Sequence, residues 1–275
     1  MNSHIRRMTE CSMMIALASV LSLLPLVEMP YGGSITLASM LPIVILSYRH
    51  GAAWGLVSGL LYGVIQQLLG LKNLSYFTTW QSVVAIILLD YLIAYAVIGL
   101  AGIFRRFQKS QPLSLLYGGI FVCLLRYILH VISGATVWAG LSIPTEAALL
   151  YSISYNATYM LPETLILVTV LFYIGTVLDF STDIPRHMKK TALCRSAVIA
   201  RTVGSFTTVL GVLLSTVLIF PLLQNAETGE FDMAGLSGVT PMIGLFILLG
   251  GILCGAALFI YAHIADRRHQ VKIGN

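Results

Sequence analysis

The stretch WQSVVAIILLDYLIAYAVIGLAGIF (80–104) carries a single charged residue, Asp90, in an otherwise uncharged and mostly apolar run. A helix needs about 20 predominantly apolar residues to cross a hydrocarbon core of about 30 Å. Backbone groups in lipid must be hydrogen-bonded internally, and a helix does this within one segment. The stretch therefore predicts a membrane-spanning helix.

Apolar runs of similar character occur on both sides of this stretch. The eight predicted spans cover about residues 11–29, 36–48, 52–71, 80–104, 113–136, 150–178, 196–223 and 239–264. Only 10% of the chain is charged and 57% is hydrophobic, whereas a soluble domain is about one quarter charged. The alternating pattern of a membrane β-barrel is absent. The chain is therefore predicted to be all-α, a polytopic helical bundle in a lipid bilayer.

The net charge of +5 follows the predicted topology and does not indicate a nucleic-acid partner. Lys72 is the sole basic residue of the alternate loops. The positive-inside rule then places both termini in the cytoplasm. The remaining loop cations lie before span one, after spans two, four and six, and at the C-terminus: Arg6, Arg7, Arg49, Arg105, Arg106, Lys109, Arg186, Lys189, Lys190, Arg195, Arg267, Arg268 and Lys272.

Catalytic and metal-binding motifs are not found in the sequence. No Gly-Lys pair of a nucleotide-binding loop occurs, and no HExxH or GxSxG. The four cysteines are scattered, without metal-ligand spacing: Cys11, Cys123, Cys194 and Cys254. We therefore expect no enzyme activity, no cofactor and no metal.

Three regions are predicted along the chain. Residues 1–180 form a six-helix unit, 181–195 (STDIPRHMKKTALCR) form a basic cytoplasmic linker, and 196–275 add two transmembrane helices. No repeat relates the halves of the chain, which counts against an inverted-repeat secondary transporter. The glycines of the third span recur every fourth residue (Gly55, Gly59 and Gly63), and we interpret them as helix-packing contacts.

Polar side chains inside the predicted spans are costly in lipid and therefore indicate a site. The fifth span places Arg126 and His130 four residues apart, on one helix face, with Trp138 two turns further on. A stripe on the sixth span consists of Tyr151, Tyr155, Tyr159 and Glu163, with Asn156 beside it.

Two interpretations of these polar residues remain open. Arg126 forms a structural ion pair with Asp90 or Glu163, or the whole group binds a ligand. A carboxylate surrounded by aromatic rings, an imidazole and an amide suits a small, flat, nitrogen-rich cation.

Four segments carry a resemblance to a known family: YGGSITLASMLPIVILSYRHG (31–51), LLDYLIAY (88–95), RYILHVISGATVW (126–138) and YSISYNATYM (151–160). In order and spacing, over about residues 8–178, the chain resembles the thiamine-specific S-component of energy-coupling factor (ECF) transporters. The resemblance implies a six-helix thiamine-binding subunit of the bacterial cell membrane without its own ATPase. It also implies docking on a transmembrane coupling protein driven by two ABC-type ATPases.

The resemblance also assigns residues. The family's pocket carboxylate matches Asp90, and its tyrosine Tyr91. The remaining pocket positions match His130, Trp138, Tyr151 and Asn156. The docking motif of small residues matches Ser12 and Ala16 on the first helix.

The sequence departs from the family in three places. Some members have Glu in place of Asp90, and some have a tryptophan in the first outer loop. Here Tyr31 occupies that loop, and either compensates as a ligand residue or leaves the site less tightly covered. The two helices of 196–275 have no counterpart in the family.

Two alternatives to thiamine capture remain. One is an S-component for another vitamin or a thiamine precursor. The other is a stand-alone secondary transporter in which Asp90, Glu163 and Arg126 relay an ion.

Overall fold

The computed structural model describes residues 3–29, 32–139, 148–188, 194–223 and 234–274. Within this part of the chain all eight predicted helical segments are present. They are α1 (Ser3–Ser22), α2 (Leu41–His50), α3 (Ala52–Leu69), α4 (Trp80–Arg106), α5 (Gln111–Thr136), α6 (Ala148–Val177), α7 (Arg195–Ile219) and α8 (Val239–Gly274). Two antiparallel strand pairs join β1 (Pro25–Glu28) to β2 (Ser34–Thr36), and β3 (Leu178–Asp179) to β4 (Arg186–His187).

Six helices in the described ranges, α3 to α8, are long and apolar enough to cross a membrane. The prediction of a further full span at 36–48 was wrong. Helix α2 has 10 residues and is therefore about 15 Å long, half of what a crossing needs. Proline is favoured in the first helical turn, and Pro42 lies there, so the helix begins only at Leu41.

The predicted first span, 11–29, was wrong at its C-terminal end. Helix α1 ends at Ser22, and residues 25–28 form the first strand of the β1–β2 hairpin. Pro25 has no backbone N–H with which to continue a helix. With Arg6, Arg7 and Glu10 in its first turns, α1 is also not among the helices apolar enough to span by composition.

By its internal contacts the chain divides into two units, Met1–Val168 and Thr169–Asn275, and α6 runs through the division. In the first unit α2 is the central element. Its residues 42–48 are all buried, and it contacts α1, α3 and α4. The glycine row of α3 faces the backbone of α4: a Cβ added at Gly59 would lie 2.5 Å from the carbonyl oxygen of Tyr95. These glycines are packing contacts, as predicted.

A turn of residues 36–40, here called the inner turn, connects β2 to α2. It contains Ala38 in the left-handed region, at φ 58°. Four residues of the inner turn, Thr36, Ala38, Ser39 and Met40, are buried in the bundle, whereas Leu37 is exposed. Non-helical backbone is tolerated at membrane depth where protein surrounds it or where it lines a cavity.

Helix α4 departs from regular α geometry. Residues Ile87–Ile93 are π-helical and Val97–Arg106 are 3₁₀-helical. A π-helical turn widens the helix and is frequent at functional sites. The turn contains the consecutive residues Asp90 and Tyr91, and both line the cavity described below.

In the second unit α7 and α8 pack against each other in antiparallel directions. Glycines bring the two backbones close, with Gly211 facing Gly251 and Gly204 facing Gly255. Near one end of the pair, Arg201 and Asp266 form a buried ion pair. Large apolar side chains such as Phe206 are exposed on the outer faces, as expected for helices in lipid.

Candidate functional site

A cavity of about 320 Å³ lies inside the first unit. Helices α3, α4, α5 and α6 contribute to its walls, together with the β1–β2 hairpin and the inner turn. Its lining combines aromatic rings with charged groups. These are the carboxylates of Glu28, Asp90 and Glu163, the Lys72 ammonium and the Arg126 guanidinium. Small-molecule sites typically measure about 300–1,000 Å³, so this cavity suits a small ligand.

The carboxylate of Asp90 is hydrogen-bonded to three side chains of the site. Its Oδ1 lies 2.9 Å from His130 Nδ1, and its Oδ2 accepts from Ser133 Oγ at 2.8 Å and from Trp138 Nε1 at 3.0 Å. Three groups on and just beyond α5 therefore fix one carboxylate of α4. His130 Nε2 is buried in the cavity wall and has no hydrogen-bond partner among the described residues, so the imidazole retains one ring nitrogen for a ligand.

Aromatic packing fixes the indole of Trp138. The ring of Phe77 meets it edge-on at a centroid distance of 4.8 Å, and the two rings form a buried cluster with Ile86. Trp138 is thus held both by ring packing and by its hydrogen bond to Asp90. A rigid aromatic wall beside a carboxylate can stack a flat ring and attract a positive charge.

Helix α6 supplies a second set of polar groups. Tyr159 OH donates to Asn156 Oδ1 at 2.6 Å, and Asn156 Nδ2 donates to Ser152 O at 2.9 Å. Tyr155 OH donates to Gly32 O at 3.0 Å and so holds the β1–β2 hairpin. Gly33, at φ 89°, lies directly against the Tyr159 ring, where an added Cβ would approach to 2.8 Å. The tyrosines of α6 therefore contact the hairpin as well as the cavity.

Arg126 does not form a structural ion pair with Asp90 or Glu163, which was the alternative interpretation of these charges. In the described part of the chain no carboxylate lies within 4 Å of the Arg126 guanidinium, and Asp90 is hydrogen-bonded to His130 instead. Arg126 lies over the Tyr95 ring at 4.6 Å and directs Nη1 to Met40 Sδ at 2.8 Å. Glu163 accepts hydrogen bonds from the inner turn.

The structure brings most of the predicted ligand residues to one cavity. Asp90, Tyr91, His130, Trp138 and Asn156 line it. Tyr151 does not line it and packs outside, against the cluster around Trp138. The remaining predicted residue, Tyr31, lies outside the described residues.

Several residues that organise the site were not singled out from the sequence. Ser133 bonds Asp90, and Asn73 Nδ2 donates to Tyr91 OH at 3.0 Å. Ser133 follows His130 by three residues on the same helix face, which was an available signal. Asn73 lies in a short 3₁₀ segment, Leu71–Tyr76, and no periodicity indicates its partner.

The predicted docking residues lie on α1. Ser12 and Ala16 are both exposed, whereas Cys11, Ile15 and Ala18 of the same helix are buried in the bundle. Ser12 Oγ donates to Met8 O on its own helix at 3.0 Å, so its hydroxyl needs no other partner. Both positions therefore have small exposed side chains, and the Ser12 hydroxyl needs no hydrogen bond from another helix.

Comparison with known proteins relates the chain to transporters. A curated relative, the thiamine transporter ThiT of Bacillus subtilis (strain 168), is 36% identical over 176 residues, which is 60% of this chain and 88% of that protein. A solved structure of ThiT from Listeria monocytogenes superposes with a TM-score of 0.53 at 23% identity. The superposition covers 63% of this chain and 95% of that one, and it shows the same fold.

The sequence profile of one family matches the part of the chain that contains every helix of the cavity. That family is described as thiamine transporter protein (Thia_YuaJ), and the match covers residues 8–180. Helices α7 and α8 lie beyond it. The chain thus belongs to the thiamine transporter protein family.

Proposed function

We propose that this chain is the thiamine-binding subunit of an ECF-type importer and captures the vitamin in the cavity around Asp90. The observation that carries the proposal is the fixed Asp90 carboxylate beside the Trp138 indole, inside a cavity of suitable size. Thiamine carries one positive charge on a flat heteroaromatic ring. Asp90 would neutralise this charge while Trp138 stacks on the ring.

The residues proposed to contact the vitamin are those assigned by the family resemblance. Tyr91, His130 and Asn156 line the same cavity and supply hydroxyl, imidazole and amide groups. Their mixed donors and acceptors suit the ring nitrogens and the amino group of a pyrimidine. Tyr151 would act indirectly, by supporting Trp138.

The proposed orientation in a bacterial cell membrane follows from the charge distribution. The N-terminus and the Arg49 end of α2 would face the cytoplasm, because basic residues cluster at that end. The hairpin end of the cavity, with Lys72 and Asn73, would then face outward. This arrangement suits capture of the vitamin from outside. Delivery would then be to a coupling protein that docks on α1 and is driven by two ABC-type ATPases.

Titration of intrinsic tryptophan fluorescence tests the ligand. Purified full-length protein should show saturable quenching by thiamine in the absence of ATP, because Trp138 lies in the proposed binding wall. Riboflavin and biotin are the controls and should not saturate the signal. Saturation by one of them, with none by thiamine, would assign the cavity to a different vitamin.

Uptake experiments test the dependence on partners. Cells that express only this chain should not concentrate thiamine, whereas cells that also express the coupling protein and its two ATPases should. The reason is that the sequence has no nucleotide-binding loop. Uptake into liposomes lacking any ATPase, driven by a proton or sodium gradient, would favour a secondary transporter instead.

A further inference from the structure

Glu163 is a buried carboxylate of the cavity wall for which the proposed recognition of thiamine provides no role. It is 7% exposed and belongs to α6. Its Oε1 accepts from Thr36 Oγ1 at 2.9 Å and lies 3.5 Å from Ser39 Oγ. Both hydroxyls belong to the inner turn, more than a hundred residues away in sequence. The carboxylate therefore links α6 to the start of α2.

The hydrogen bond between Thr36 and Glu163 connects to the backbone of the inner turn. Thr36 Oγ1, which donates to Glu163, also accepts the backbone N–H of Ser39 at 3.1 Å. The hydroxyl of Thr36 thus bonds the backbone three residues further on, as Ser and Thr side chains commonly do in turns. Glu163 fixes the orientation of that hydroxyl.

The inner turn contains a strained residue, and the Thr36–Glu163 hydrogen bond helps to hold the turn in its strained conformation. Ala38 has φ 58°, a left-handed conformation that non-glycine residues adopt only where their surroundings enforce it. The turn is also part of the cavity wall, because Thr36, Ser39 and Met40 line it. Met40 in turn contacts the Arg126 guanidinium. A relaxed turn would move the wall against which the ligand packs.

We propose that Glu163 is a positioning residue that holds the inner turn, and with it the inner wall of the cavity, through its hydrogen bond to Thr36. This role rests on the proposed function for its ligand, and goes beyond it by assigning a role to a buried carboxylate that the proposed function leaves without one. Glu163 acts as a hydrogen-bond acceptor for the inner turn, and its negative charge does not take part in recognition of the ligand.

Stopped-flow fluorescence of the full-length protein with thiamine tests the role. Glu163→Ala and Thr36→Val should each speed thiamine dissociation by about tenfold or more, the scale of one lost hydrogen bond to a charged group. The effects of the two changes should be clearly less than additive in the double variant, because both remove the Thr36–Glu163 hydrogen bond. Each change also removes one contact to Ser39, so the double variant can be somewhat faster than either single variant. Glu163→Gln keeps an oxygen that accepts from Thr36 and should stay within about threefold of wild type.

Amide exchange provides a second readout that needs no ligand. The Ser39 amide should exchange faster in Glu163→Ala than in wild type, and Glu163→Gln should restore its protection. Thr36→Val replaces one hydroxyl by a methyl group of similar size, and keeps the test available if Glu163→Ala does not fold.

Three results would overturn the role of Glu163. They are a Glu163→Gln variant as impaired as Glu163→Ala, additive effects in the double variant, and unchanged Ser39 exchange in both single variants. A wild-type chain that does not bind thiamine contradicts the proposed function, while Ser39 exchange still reports on the inner turn.

Discussion

Asp90→Asn should weaken thiamine binding about ten- to hundredfold, the largest effect we expect from a single change in the cavity. Hydrogen bonds and contacts to a charged group contribute about 1.5–3 kcal/mol each. The substitution removes the negative charge that the proposed cationic ligand would meet. Asn also keeps only one acceptor oxygen, so its NH₂ group faces either His130 or the two donors Ser133 and Trp138. Isothermal titration calorimetry measures the change in affinity.

Asp90→Glu is the matched control, since it keeps the charge and adds one methylene. It should retain more affinity than Asp90→Asn, because the negative charge opposite the proposed cationic ligand is preserved. Thermal unfolding of all three proteins without ligand separates loss of binding from loss of structure. An Asp90→Asn variant that binds thiamine as tightly as wild type would remove this carboxylate from the binding site.

The helical architecture was predictable from the sequence, because membrane spans are set by apolar length and basic loop residues. The exceptions lie between α1 and α3. There the apolar runs led to the prediction of two full spans, yet the chain forms a hairpin, the strained inner turn and a ten-residue helix. Pro25 and Pro42 were visible signals for the helix boundaries, but they do not reveal that strands replace a helix. The hairpin depends on contacts with distant residues such as Tyr155 on α6.

The location of the cavity was also predictable, since polar residues in lipid are retained where they have partners. Asp90, His130 and Trp138 were grouped correctly into one cluster. The pairing within it was not predictable, because spacing along a helix gives the face but not the neighbour across. The π-helical turn of α4 departs from the 3.6-residue period on which such reasoning depends.

The tyrosine stripe of α6 shows the same limit. The sequence placed Tyr151, Tyr155, Tyr159 and Glu163 on one side of a helix, and grouped them with the proposed ligand site. In the structure Tyr155 and Glu163 hold the hairpin and the inner turn, whereas Tyr151 packs beside Trp138. Only contacts distant in sequence distinguish a residue that faces the ligand from one that shapes the wall.

Ala16→Trp should abolish ATP-driven thiamine uptake while leaving thiamine affinity nearly unchanged. The side chain of Ala16 is exposed on α1, and none of the cavity residues belongs to the turn that carries it. An indole there would not disturb the interior of the bundle. It would, however, keep a partner helix from approaching closely, which small residues four apart normally allow. Uptake and binding are measured side by side, with the coupling protein and its ATPases co-expressed.

Leu124→Trp is the matched control for this prediction. Leu124 is 53% exposed on α5, so the same indole is added to an exposed, apolar position on another membrane helix. It should leave both uptake and binding near wild type. The contrast separates a specific docking face from a general effect of a bulky side chain in lipid. Normal uptake by Ala16→Trp would exclude this face of α1 from docking, and equal loss in both variants would attribute the defect to membrane insertion.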